Sequence, residues 1–152
     1  MYKLISDIAG RCHKAAEKRG KDTTAAGCAK ALRTEQQEYW EAVDNGYFVP
    51  DFDAKVSEAT KLSDEDFTAF YGAKIHNTVA DELADIVITA ATWLQTAKNK
   101  GGEDFQPDRD IDVMLLGGAI QFACQRITDE KDVRELQAAV NLKMRYNELR
   151  KD

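Results

Sequence analysis

Only two prolines, Pro50 and Pro107, interrupt 152 residues, so long unbroken helices are permitted almost everywhere. Strictly alternating β-branched runs are missing, which argues against half-buried strands. Two histidines, His13 and His76, are too few for a histidine-based zinc site. The three cysteines, Cys12, Cys28 and Cys124, have no paired spacing. That excludes a disulfide framework and suggests buried thiols in a reducing compartment. Every apolar run is broken by charge or glycine well before it reaches membrane-spanning length. The opening MYKLISDIAGRCHK turns polar too early for a secretory signal. A cytoplasmic protein with no membrane partner is the expectation. Basic residues are outnumbered, 21 against 27 acidic, for a net charge of -6. An acidic surface repels phosphate backbones, which weighs against a nucleic-acid polymer as partner. It leaves room for a small phosphorylated ligand held through a divalent cation.

What is present is helical patterning, and residues 1–152 read as one all-α domain, a bundle with four to five main helices. A first helix is predicted over about 2–19, closed by Gly20. A second spans about 24–44 and stops at Asn45-Gly46, with Pro50 beyond. Within 51–75 the stretch LSDEDFTAFYG predicts a short helix capped by Ser63, with Asp66 at its third position. A third long helix is predicted over 77–98 with Asn77 as its cap, a fourth over 108–127, and a last over 129–150 with Thr128 as its cap.

The second helix carries Glu35, Glu38 and Glu41 at even spacing, yet the helical wheel separates them. Cys28, Leu32, Tyr39, Ala42 and Val43 form an apolar stripe. Glu35 falls inside it, Glu38 sits at its edge beside Ala31, and Glu41 lies toward the polar side. A carboxylate on a core face needs a partner, a proton or a metal. The third long helix is apolar on two sides, through Val79, Leu83, Ile86, Ala90, Leu94 and Ala97, and through Ala84, Val87, Ile88 and Ala91. Its narrow polar wedge holds Glu82 and Asp85, one turn apart on one face, followed by Thr89, Thr92 and Thr96. Two such acidic pairs on packed helices bring four carboxylates to one point. Without a cation they repel and raise one another's pKa; magnesium, a hard oxygen-seeking ion, relieves this. The competing reading leaves them all on solvated surfaces.

In the last helix Lys143, Asn147 and Arg150 share a face that continues the line of Leu136 and Val140. Such a strip can reach phosphate oxygens, or can simply complement the helix dipole.

These motifs together resemble the MazG-like, all-α nucleoside triphosphate pyrophosphohydrolases, related to the dimeric dUTPase and dCTP pyrophosphatase types. TEQQEYWEA is similar to the family's Glu-x-x-Glu helix, and ADELADIVI to its Glu-x-x-Asp helix. LKMRYNELR is similar to the closing helix of some members, and CHKAAEKRG to the first helix of certain bacterial ones. The match covers a little under half of the chain. It departs from the pattern in the long interval from Asn45 to His76 and in the added segment from Gly101 to Ile127.

The resemblance implies hydrolysis of a nucleoside triphosphate, a dNTP for preference, to the monophosphate and pyrophosphate. Glu35, Glu38, Glu82 and Asp85 would hold Mg2+, or Mn2+ in its place, and Glu35 or Glu38 would be the catalytic carboxylate activating water. Lys143, Tyr146, Asn147 and Arg150 would bind the nucleotide, with His13 and Lys14 as further pocket residues. Trp93, near the acidic wedge, heads the candidates for base contact, ahead of Trp40 and Tyr39. The resemblance also implies a homodimer or homotetramer. A different class is a non-catalytic structural or regulatory helical module, recognising a protein partner through the 45–75 segment. A ferritin-like di-metal site is disfavoured, because no Glu-x-x-His occurs.

Overall fold

The computed structural model describes residues 2–106, 122 and 129–150. Among the described residues there are six α-helices and no strand: α1 (Tyr2–Lys18), α2 (Ala25–Asp44), α3 (Phe52–Thr60), α4 (Asp64–Lys74), α5 (Val79–Gly101) and α6 (Glu130–Leu149). A single 3-10 turn, Gly102–Asp104, follows α5. None of these helices is long and apolar enough to cross a membrane.

The helix ends are set by local chemistry. Gly20, at φ 69°, closes α1, and its N–H returns to Glu17 O at 2.9 Å. Thr24 caps α2 by accepting from Gly27 N at 3.1 Å. Asp22 folds over this cap, accepting from Thr24 N at 3.0 Å and Thr24 Oγ1 at 2.6 Å. It comes so close that a Cβ on residue 27 would lie 2.4 Å from the Asp22 side chain. Glycine at 27 is therefore a steric requirement. Gly46, at φ 69°, ends α2. Ser63 caps α4, accepting from Asp66 N at 3.3 Å, as the sequence leads one to expect.

Two expected caps shift by one residue. The cap of α5 is Thr78, whose hydroxyl accepts from Asp81 N. Asn77 instead takes a left-handed φ of 65° and donates its N–H to Asp81 Oδ2 at 2.9 Å. The cap of α6 is Asp129, accepting from Asp132 N at 3.0 Å; Thr128 lies outside the described residues. The helix expected over 108–127 also lies outside them, apart from Phe122. Six described helices replace the expected four to five, because 52–60 forms its own helix, α3. Its weak periodicity hides it in the sequence. Its C-terminal end and the turn into α4 are held by α6: Arg145 donates to Ala59 O at 3.4 Å, to Leu62 O at 2.9 Å and to Asp64 at 2.9 Å.

The centre of the bundle is α5, about 34 Å long at the usual rise per residue. It packs against α1, α2 and α6. Both of its apolar sides are used: Ala84, Ile86, Val87, Ala90, Ala91 and Leu94 are all buried. They join Ile5, Ile8 and Ala9 of α1, Leu32 and Tyr39 of α2, and Val140 and Met144 of α6 in the main core. A second cluster, Ala59, Phe67, Tyr71, Ile75 and Leu142, seats the α3–α4 pair on α6. Between these cores the polar wedge of α5 faces inward.

Candidate metal centre

The acidic residues split by position, as the wheel predicts. Glu41 is exposed and engaged by Gln37 Nε2 at 2.9 Å along its own helix. Glu35 is half-buried and Glu38 exposed at the cavity edge, while Glu82 is buried, with 5% of its surface exposed. One carboxylate oxygen from each of Glu35, Glu38 and Glu82 lies within 4.8 Å of the others, close enough for one ion. A second set, Asp81, Glu82 and Asp85, meets the same limit and shares Glu82.

What already meets these oxygens separates the two sets. Glu35 Oε2 and Glu82 Oε2 are buried and have no hydrogen-bond partner among the described residues. Asp81 is the opposite case. It is fully buried and accepts from the Tyr71 hydroxyl, from Asn77 N at 2.9 Å and from Lys143 Nζ at 2.8 Å. His76 Nδ1 lies 3.2 Å from Oδ2, the oxygen that Asn77 N also meets. Lys143 also lies 2.9 Å from Asp85 Oδ2.

The acid–base behaviour follows this division. Burial, then the negative charges of Asp85 and Glu38, push the Glu35 carboxyl up to about 9. Burial and the neighbouring Asp85 and Asp81 push Glu82 up to about 8. Asp85 rises to about 6, through burial that the Lys143 ammonium only partly offsets. Burial also opposes ionisation of Asp81, but His76, Lys143 and Tyr71 overcome it and hold that carboxyl down at about 2. Asp81 is an anion satisfied by protein donors, whereas Glu35 and Glu82 are carboxyls short of positive charge. The donor set and its two orphaned oxygens fit a hard divalent ion on Glu35, Glu38 and Glu82, with Asp85 alongside.

The cluster opens into a cavity of about 440 Å³, within the range of small-molecule sites. Its walls come from α1, α2, α5 and α6. Arg19 and Lys21 stand at one side, and Lys143 and Asn147 of α6, with Arg150 just past its end, line another. Asn147 is 7% exposed, and its Oδ1 has no partner among the described residues.

Several expected pocket residues are elsewhere. Trp93 packs in the main core and does not line the cavity. His13 is buried on α1 with Nδ1 3.6 Å from Glu17, and Lys14 is exposed; neither lines the cavity. The face of α1 that does line it presents Arg11, Cys12 and Ala15 instead, with Arg19 just past the helix end. Tyr146 stacks on Tyr71 with ring centres 4.6 Å apart, behind the cavity wall, and carries the Arg150 guanidinium over its ring at 5.3 Å. Tyr39 is buried, and Trp40 packs edge-on against it and Phe122. Among the described residues, no Trp, Tyr or Phe lines the cavity.

Sequence reasoning passed over Asp81, although Thr78-x-x-Asp81 is a capping signature that pins its position. It also passed over Arg11, Arg19 and Lys21, whose roles depend on how α1 packs. Comparison of the chain with protein-family models, with curated proteins and with solved structures finds no match.

Proposed function

We propose that this chain is a divalent-metal-dependent nucleoside triphosphate pyrophosphohydrolase of the MazG-like type, acting on a nucleotide, a dNTP for preference, and releasing pyrophosphate. The observation that carries the reading is the meeting of Glu35, Glu38 and Glu82 within 4.8 Å, with two of their oxygens buried and without a donor among the described residues. Leaving such oxygens unpaired is costly, and three carboxylates at one point offer the oxygen donors that magnesium takes. Magnesium bound there would draw charge from phosphate oxygens and acidify the attacking water.

The remaining steps belong to side chains. Glu35 or Glu38 is the carboxylate that orients or deprotonates the attacking water. Arg19, Lys21 and Arg150 on the cavity walls offset the charge of the outer phosphates. The unpartnered Asn147 Oδ1 accepts from a sugar hydroxyl or base amine. Ala15, Ala31 and Ile88 supply apolar wall for the base.

The test is a panel of NTPs and dNTPs with magnesium or manganese, read as pyrophosphate release. Activity on at least one nucleotide is expected, and Glu35→Gln and Glu82→Gln should each abolish it while the helical spectrum is kept. Protein that binds the metal yet releases pyrophosphate from no nucleotide would defeat the enzyme reading and leave a non-catalytic helical module.

A further inference from the structure

The two carboxylate sets that share Glu82 are not equally in need of a metal. In the set of Asp81, Glu82 and Asp85 a cation is already in place. Lys143 Nζ lies 2.8 Å from Asp81 and 2.9 Å from Asp85, and Lys143 is only 1% exposed. Its ammonium is further held over the rings of Tyr71 and Tyr146, at 5.9 and 5.7 Å. Both oxygens of Asp81 have donors, from Tyr71 and Lys143 on one and from Asn77 N on the other.

We propose that Lys143 is a built-in cation standing in the place of a second metal ion, so that the centre takes one divalent ion per chain, on Glu35, Glu38 and Glu82. The inference rests on the metal reading above and fixes its stoichiometry. A lysine ammonium is a compact point charge, and within hydrogen-bond reach of two carboxylates it neutralises much of what would draw a second ion. A divalent ion placed on Asp81 and Asp85 would have to evict it or sit beside it. Eviction strands a buried ammonium, and adjacency sets like charges together at short range. Lys143 is thus a positioning residue: it holds Asp85 at the edge of the first set and closes the second. Two of its three N–H donors are committed to this, which departs from the expectation that it reaches out to phosphate.

The experiment is a Mn2+ titration of the full chain without nucleotide, followed by calorimetry and electron paramagnetic resonance. One Mn2+ per chain with an isolated-ion spectrum is expected for the native protein and for Lys143→Arg. Lys143→Met, with its helical spectrum intact, should take up a second Mn2+ and show spin–spin broadening. If that variant fails to fold, Lys143→Gln, which keeps a hydrogen-bond donor for Asp81 but carries no charge, takes its place with the same expected gain. Two coupled ions in the native protein, or one in the folded charge-neutral Lys143 variant, would overturn the inference and leave the metal reading standing. No Mn2+ uptake by the native protein would overturn both.

Discussion

The ammonium of Lys143 meets the carboxylate of Asp81 at 2.8 Å across 62 residues of sequence, with both side chains enclosed. Removing one partner leaves the other charge buried without its counter-ion. Asp81→Ala and Lys143→Ala are each expected to cost about 3–5 kcal/mol of stability. The double substitution Asp81→Asn/Lys143→Met should cost clearly less than the sum of the corresponding single changes, because residues in contact are coupled. Denaturant unfolding of the four proteins measures this; additive effects would contradict the pairing.

Stability should depend on pH in a direction opposite to that of ordinary paired carboxylates. Glu35 and Glu82 ionise near 4.5 when free, and near 9 and 8 in the metal-free fold. Between those limits the folded chain keeps protons that the unfolded chain has lost, so these groups make stability fall as pH rises. Asp81 works the other way, but only at low pH: its contribution is present above its free value of 3.8 and is lost as pH falls through about 2. Thermal unfolding at about pH 6 and about pH 9 should therefore show the metal-free protein weaker at the higher pH, with magnesium narrowing the gap. Equal melting temperatures would count against the raised carboxyls.

Metal uptake should release protons from the same two carboxyls. Calorimetric titration with Mn2+ in buffers of different ionisation enthalpy is expected to give different apparent heats near neutral pH, and affinity rising with pH. Buffer-independent heats would mean that Glu35 and Glu82 are already ionised.

Glu38 and Glu41 lie one turn apart on α2 but face different surroundings. Glu38→Gln is expected to weaken Mn2+ binding by more than about tenfold, the loss typical even of an indirect metal partner. Glu41→Gln, which alters only an exposed contact to Gln37, should leave binding unchanged and stability within about 0.5 kcal/mol. Equal effects would remove the distinction between them.

Arg145 ties α6 to the α3–α4 turn through the carbonyls of Ala59 and Leu62, and lies 4.1 Å over the Phe67 ring. Arg145→Ala should cost about 1–3 kcal/mol, chiefly from acceptors left unpaired, and hydrogen exchange should quicken first in α3. Uniform exchange across all helices would show that α3 does not depend on this contact.

The acidic positions were legible in the sequence because burial of a helical side chain follows its angle to the apolar stripe. Glu35 inside the stripe, Glu38 at its edge, Glu41 outside it, and Glu82 with Asp85 in the wedge of a doubly apolar helix all depend only on local periodicity. The base pocket was not legible. Trp93 and His13 carry the chemistry of recognition, but each faces the core, and nothing local distinguishes an aromatic that packs from one that reads a ligand. α3 escaped notice because a nine-residue helix held by Arg145 from α6 leaves little periodic trace of its own.

Local sequence alone sets the all-α class, most helix limits and the inward turn of Glu35, Glu82 and Asp85, since caps, glycine stops and a 3.6-residue repeat act over a few neighbours. Tertiary packing alone decided which cation meets which carboxylate. Asp81 and Asp85 find Lys143 of α6, whereas Glu35 Oε2 and Glu82 Oε2 find no donor among the described residues. The reason is geometric: within a hydrogen-bond length an ammonium settles a charge, and only the docking of α6 against α5 brings it there.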